Sequence, residues 1–195
     1  MKERAIMLST LELKKSMEQD PYNIRGGRNR RNTPLSAYNC GGFALSVYNW
    51  VTPYVITATL VDDDDCSDYT DNKREDLMRA LYEEGWDNTD IENEILIRDK
   101  DFLLSEYPFL EEVNLEDCDP KDTVIAYRLF VHWDDEIGEV DDTDFHFKVR
   151  INGFWFEKMG AEEISPCTLD ENRPWHYATA DYTSQIVYFC LMKKK

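Results

Sequence analysis

The sequence is poor in the residues that build metal and phosphate sites. It contains eight glycines, three histidines and five cysteines among 195 residues. No two cysteines form a C-x-x-C pair, which argues against a zinc knuckle or a disulfide framework. The glycine pairs in GGR and CGGF match neither a Walker motif nor a dinucleotide-binding motif. We therefore expect neither a resident metal nor a cofactor.

Basic side chains and long apolar runs are also scarce. Lys and Arg number 22 against 40 Asp and Glu, a formal net charge of −18. Such a surface repels nucleic-acid phosphates, so direct DNA or RNA binding is disfavoured. No apolar run approaches the length of a membrane span, and the N-terminal segment lacks a signal-peptide core. We expect a cytoplasmic protein without a membrane partner, whose acidity suits a basic partner or substrate.

The remaining composition is sufficient for one α+β domain. The length predicts a single domain over 1–195, with an N-terminal helix and basic loop over 1–33 and a core over 34–195. Helical patterns come first and strand patterns cluster late, which favours α+β over a wound parallel sheet. The predicted helices cover 7–18, about 40–50, 72–86 and part of 99–113. The predicted strands are 123–133, a hairpin over 144–160 and a final strand after 184. The segment 54–61 fits either a strand or a helix extension, and 62–71 is an acidic loop.

The segment PLSAYNCGGFALSVYNW, residues 34–50, places Cys40 at the start of a predicted helix. Asn39 precedes the cysteine and two glycines follow it. Helix N-termini lower the pKa of a thiol and favour the thiolate. A cysteine considered alone is more often a buried structural residue. A functional interpretation therefore needs a base elsewhere in the chain.

The segment DFHFKVRINGFWFEKMG, residues 144–160, supplies that base. Asn152-Gly153 predicts a two-residue hairpin turn, because these residues tolerate the positive φ angles required. Counting outward from the turn pairs Lys148 with Glu157. Alternation then places His146 and Glu157 on one face as diagonal neighbours, about 7 Å apart at the backbone.

These residues are the parts of a cysteine-nucleophile triad. Cys40 would attack a carbonyl carbon as its thiolate, His146 would hold the thiol proton, and Glu157 would orient the imidazole. Asp144, two residues before His146 on the same face, is the alternative to Glu157. Two other histidines are possible bases without so well placed a carboxylate: His132 and His176.

The blocks YNCGGFAL, TVIAYRLFV and DFHFKVRINGFWFEKMG resemble the papain-like cysteine peptidases. The chain is most similar to small bacterial and phage proteins in which Asn-Cys opens a helix. In those proteins an Asp-aromatic-His-aromatic strand turns into a Trp-containing strand that ends Lys-x-Gly. The resemblance covers 38–45 and about 123–160, and it implies Cys40 as nucleophile and His146 as base. It also implies a papain-like fold, in which the helix that Cys40 opens packs on a small antiparallel sheet carrying the histidine.

The chain departs from that family at two points. Many relatives carry histidine or asparagine where this chain has Glu157. No glutamine shortly precedes Cys40, where papain supplies an oxyanion donor. The backbone N–H of Cys40, with Asn39 or Tyr38, would have to serve instead.

Two functions from different classes follow. The first is a cysteine-nucleophile hydrolase of amide or peptide bonds, acting through a thioester on a peptide or protein substrate. A deamidase or an acyltransferase would use the same chemistry. The second is a non-catalytic acidic binding or inhibitor protein, of phage type or a DNA mimic, on an inactive papain-like fold. Only the first requires the thiol of Cys40.

Overall fold

A computed structural model describes residues 38–47, 50–51, 53, 77–134, 139–160, 162, 164–177 and 180–191, without the side chains of 132–142 and 180. The elements predicted over 7–18, 54–61 and 62–71, and the basic loop, lie outside these residues. The described part contains helices and a mostly antiparallel sheet, which confirms the α+β class.

Three helical segments are described: α1 (Cys40–Ala44), α2 (77–83) and α3 (Asn88–Glu106). The strands of the described part are β1 (Leu110–Glu112), β2 (Val124–Asp134), β3 (Glu139–Ile151), β4 (Phe154–Lys158), β5 (Ile164–Cys167), β6 (Trp175–Tyr177), β7 (Ala180–Tyr182) and β8 (Val187–Leu191). Six strands form one antiparallel sheet in the order β1-β8-β2-β3-β4-β5. The remaining two, β6 and β7, pair as a separate ribbon.

The central strands β2 and β3 separate two apolar clusters, because successive side chains of a strand point to opposite faces. On one face, Tyr127 and Phe147 belong to the large cluster that includes α1 and α3; we call this the helix face. On the other, Ala126 and Phe130 pack with Trp175 of the ribbon; we call this the ribbon face.

The predicted Asn-Gly hairpin is confirmed. Asn152 and Gly153 have φ angles of 51° and 85°, the positive values that a type I′ turn requires. The ladder pairs Ile151 with Phe154 and continues to Lys148 opposite Glu157. The ladder ends there. The next two pairs that the same counting predicts, Phe147 with Lys158 and His146 with Met159, do not form.

The predicted helix over about 40–50 is shorter than expected, since α1 ends at Ala44. Ser46 has a φ of 55°, and the N–H of Val47 bonds back to the carbonyl of Gly42 at 3.0 Å. This is the Schellman arrangement, in which a left-handed residue satisfies the last helical carbonyls. Glycine is the usual residue at such a helix end, so Ser46 did not indicate in the sequence that the helix would end there.

The helix predicted within 99–113 starts earlier than expected, because α3 begins at Asn88. Asp87 caps it by accepting a hydrogen bond from the N–H of Asp90, as an N-terminal aspartate commonly does. The end of the predicted segment is instead strand β1. Strand β3 also begins earlier than the predicted hairpin at 144. Residues 139–143, which we expected to lie in a polar connection, form its first part.

A buried polar contact joins α3 to the sheet. The hydroxyl of Tyr127 donates to the carboxylate of Asp99, and both residues are fully buried. Burying a carboxylate is costly unless it accepts hydrogen bonds. This contact therefore fixes where α3 lies on the helix face.

We expect Tyr127→Phe to lower the free energy of unfolding by about 1–3 kcal/mol, since it removes a donor from a buried carboxylate. Tyr188→Phe is the matched control, because the Tyr188 hydroxyl donates to Glu171 at an exposed position, and its loss should be below about 0.5 kcal/mol. Urea unfolding of both variants measures the difference. Equal losses would contradict the structural role given to the Asp99 contact.

Candidate active site

The N-terminus of α1 is held by Asn39. Its Oδ1 accepts hydrogen bonds from the N–H groups of Gly42 and Val51, both at 3.0 Å. Its Nδ2 donates to the carbonyl of Val51 at 2.8 Å. Asn39 thus caps α1 and ties it to the chain that follows, which fixes the position of Cys40. The oxyanion role predicted for Asn39 or Tyr38 stays a prediction.

Gly41 permits α1 to lie very close to strand β3. A Cβ at this position would meet Val51 Cβ at 3.0 Å and Phe147 Cε2 at 3.2 Å. Both distances are shorter than ordinary carbon contacts. The glycine behind the cysteine therefore lets the start of α1 rest directly on Phe147.

The thiol of Cys40 is buried, with 5% of the residue exposed. Burial raises its pKa to about 12, and the charge of Asp144 adds to the rise. The backbone amides of Phe147 and Gly41, together with the charge of Lys158, act on this pKa in the opposite direction. The expected thiolate is therefore wrong for this arrangement, since desolvation outweighs the N-terminus of a helix of only five residues.

His146 and Glu157 lie together, as the hairpin register requires. His146 Nε2 is 3.5 Å from Glu157 Oε2, although Nε2 makes no hydrogen bond. The hydroxyl of Tyr177 also donates to Glu157 Oε2, and Lys148 Nζ lies 3.6 Å from the same oxygen. Burial raises the pKa of Glu157, but its contacts with His146, Tyr177 and Lys148 outweigh burial and lower it. Glu157 is thus a carboxylate facing the imidazole.

The imidazole of His146 is enclosed by the ribbon. Its ring centroid is 4.6 Å from that of Tyr177, 5.7 Å from Tyr182 and 6.1 Å from Trp175. Only 2% of His146 is exposed. Burial lowers the pKa of the ring, an effect that Glu157 opposes. His146 is therefore neutral near pH 7 and able to accept a proton.

Cys40 and His146 approach β3 from different sides. Cys40 packs in the cluster of the helix face with Phe147, whereas His146 points to the ribbon face. The helix that Cys40 opens rests on Phe147, the residue that directly follows His146. No hydrogen bond joins Cys40 to His146 among the described residues. The structure brings His146 and Glu157 together, and it places Cys40 on the other face of β3.

The other candidates have different partners. Asp144 is exposed and accepts hydrogen bonds from the hydroxyl of Tyr182 and from the N–H of Phe145. His176 contacts Asp181 across the ribbon at an exposed position, a pair that the sequence analysis did not predict. The side chain of His132 lies outside the described part. Of the two carboxylates considered, Glu157 is the one in contact with His146.

Two further residues of this site were not predicted from the sequence. Lys158 is fully buried, and Tyr177 reaches Glu157 from β6. The alternation Phe154, Phe156, Lys158 in β4 indicates an inward lysine, so the sequence held a usable signal. No comparable pattern marks Tyr177, since β6 is only three residues long.

Comparison with known proteins gives no relative. No family model matches the chain, and neither a curated protein nor a solved structure matches it. Within the described ranges, no helix is long and apolar enough to cross a membrane. The same residues contain no group of three or more His, Cys, Asp or Glu side chains placed to hold a metal. The geometry of the site is therefore the basis on which a function can be assigned.

The lowered pKa of His146 predicts acid sensitivity. The unfolded chain binds a proton at this histidine near pH 6.5, its ordinary value, whereas the native protein does so only at lower pH. Stability is therefore lost as the pH falls below about 6.5. In His146→Gln, the loss between about pH 7.5 and 5.2 should be smaller, by at most about 2 kcal/mol.

Urea unfolding at the two pH values measures this effect, and the range stays above the titration of Glu157. His176→Gln, at an exposed position with 67% side-chain accessibility, controls for the loss of a histidine outside the core. If His146→Gln loses as much stability on acidification as the wild type, the buried neutral histidine is disproved.

Proposed function

We propose that the chain is a papain-like thiol hydrolase of amide or peptide bonds. The observation that carries the proposal is the order of groups along β3 and β4. The helix that Cys40 opens rests on Phe147 of β3 through Gly41, His146 directly precedes that residue, and Glu157 faces Nε2 of the imidazole. Because Nε2 faces Glu157, the other ring nitrogen is left for the thiol. This is the order nucleophile, base and orienting carboxylate.

The reaction is acyl transfer. The proton of Cys40 passes to neutral His146 as the sulfur attacks the carbonyl carbon, and His146 then gives it to the departing amine. The resulting thioester is cleaved by water, which releases the acid and restores the thiol. Glu157 is ionised and stabilises the imidazolium that forms between the two steps. The substrate is a peptide or protein amide, and no cofactor takes part.

The buried state of both groups sets a condition on this mechanism. Only 5% of Cys40 and 2% of His146 are exposed, and the thiol is protonated. Substrate therefore reaches the sulfur only in an open conformation, in which the imidazole also gains its contact with the thiol. Gating motions of this kind occur on microsecond to millisecond timescales in many enzymes.

The test is hydrolysis of a fluorogenic panel of peptide and side-chain amides. Cys40→Ala should abolish turnover, and His146→Ala should lower kcat about 10²–10⁴-fold because the proton carrier is lost. Glu157→Gln should lower kcat with little effect on KM. Cys190→Ala, a change at a half-buried cysteine on β8, is the matched control and should leave turnover unchanged. Turnover that survives Cys40→Ala, or wild-type turnover no higher than that of Cys40→Ala, would contradict the proposal.

A second candidate is a non-catalytic acidic protein that binds a basic partner. The burial of the thiol favours it, and so does an open groove of about 750 Å³ between α3 and β8. Around the groove, three carboxylates face one ammonium group: Glu112, Glu116 and Glu171, with Lys100. Ile97, which is 48% exposed, supplies apolar surface there. A segment that combines basic and apolar side chains would complement this lining.

A labelled peptide of alternating lysine and leucine is the probe for this groove. The double variant Glu116→Lys and Glu171→Lys should weaken binding at least 10-fold, since like charges then meet. Added salt should weaken binding to the wild type, since it screens the attraction between the groove and the peptide. Glu83→Lys, at an exposed position on α2 outside the groove lining, changes charge without changing the groove. Equal affinity of the groove and control variants would disprove the groove as the binding site.

A further inference from the structure

Arg128 of β2 is a buried cation that forms no ion pair within the described residues. Only 6% of the residue is exposed. Its Nε and Nη1 donate to the carbonyls of Ser184 and Arg173, both at 2.6 Å. Nη2 makes no hydrogen bond to the described part of the chain, and it is not one of the nitrogen atoms shielded from solvent. Since a buried guanidinium is stabilised by an acceptor at each N–H group, Arg128 has one nitrogen available to a ligand.

Arg128 lines a small pocket at the edge of the ribbon. The volume of this pocket is about 330 Å³, which is within the range of small-molecule sites. Its walls come from the segments that flank the ribbon and from the start of β8: Glu171, Thr183, Ser184, Gln185, Ile186 and Tyr188. Because Arg128 donates to carbonyls of both flanking segments, its guanidinium lies between these walls.

Glu171 places a carboxylate in the same pocket. The hydroxyl of Tyr188 donates to Glu171 Oε1 at 2.6 Å, and no ion pair joins Glu171 to Arg128 in the structure of the described ranges. Arg128 is buried and Glu171 is exposed, so the pocket presents a guanidinium at depth and a carboxylate nearer to solvent. A ligand can therefore contact both charges, although the two side chains do not contact each other.

The charges around the pocket disfavour a simple anion as this ligand. Burial lowers the pKa of Arg128, and the charges of Glu92 and Asp170 oppose that effect. These two carboxylates are therefore close enough to act on a group that binds the guanidinium. Together with Glu171 they would repel a phosphate or a dicarboxylate, and so would the net charge of −18. A carboxylate that is balanced by an ammonium group of the same ligand avoids this repulsion.

We infer that this pocket binds a free α-amino acid as its zwitterion. The carboxylate of the ligand accepts hydrogen bonds from the guanidinium of Arg128, and its ammonium group donates to Glu171. Ile186 and Tyr188 supply apolar surface for the ligand's side chain, so an amino acid with an apolar side chain fits best. The pocket shares no residue with the proposed thiol chemistry, and the inference is therefore independent of hydrolysis.

Saturation-transfer difference NMR with a panel of the proteinogenic amino acids tests the inference, and calorimetry then gives the affinity of the amino acid that binds best. Two derivatives of that amino acid are compared with it: the N-acetyl form, which lacks the ammonium group, and the amide, which lacks the carboxylate. Each should bind at least about 10-fold more weakly, because a charged hydrogen bond is lost. If no amino acid binds, or if either derivative binds as tightly as the free amino acid, the inference is overturned.

Glu171→Gln tests the ammonium contact in the protein. It should weaken binding of the free amino acid at least about 10-fold and should not weaken binding of the N-acetyl form, which makes no such contact. Glu116→Gln is the matched control, since Glu116 lines the groove between α3 and β8 but not this pocket. Equal weakening in the two variants, or unchanged affinity in Glu171→Gln, would reject the site. Both variants retain Arg128 and its hydrogen bonds to the flanking segments.

Discussion

The register of the β3–β4 hairpin is the constraint on which the rest of the site depends. The turn at Asn152-Gly153 fixes the pairing outward to Lys148 and Glu157, and alternation then assigns every side chain to a face. A slip of β4 by one residue would move Glu157 to the helix face and Lys158 to the ribbon face, while β3 stays paired with β2. The contact of His146 with Glu157 would then be lost.

Around this hairpin, burial favours the uncharged forms of Cys40 and His146, whereas polar contacts keep Glu157 charged. Cys40 is kept as a thiol, and His146 as a neutral ring, because each is shielded from water. Glu157 keeps its charge because an imidazole, a phenol and an ammonium group surround it. The thiol is therefore protonated and the imidazole neutral, and both are shielded from water. Catalysis at Cys40 would require the site to open, whereas binding of a partner in the groove between α3 and β8 would not.

The parts of this account that the sequence predicts are those set by local rules. The hairpin and its register follow from two turn residues and a two-residue period, and the contact of His146 with Glu157 follows from them. The burial of Cys40 could not be predicted from the sequence, because it depends on how closely Gly41 lets α1 approach Phe147. The contacts of Tyr177 and Lys158 also arise from packing between segments distant along the chain.

The contact of the Cys40 thiol with the imidazole of His146 in the open conformation is the central proposal, and ¹⁵N NMR of the histidine ring tests it most directly. The shifts and the titration of His146 would be compared between the wild type and Cys40→Ala, with His176 as an internal reference in the same spectra. The account predicts that His146 alone changes, because the open conformation, in which the thiol contacts the ring, contributes to the averaged shift of the wild type only. Identical His146 titrations in the two proteins would contradict it and favour the non-catalytic acidic protein.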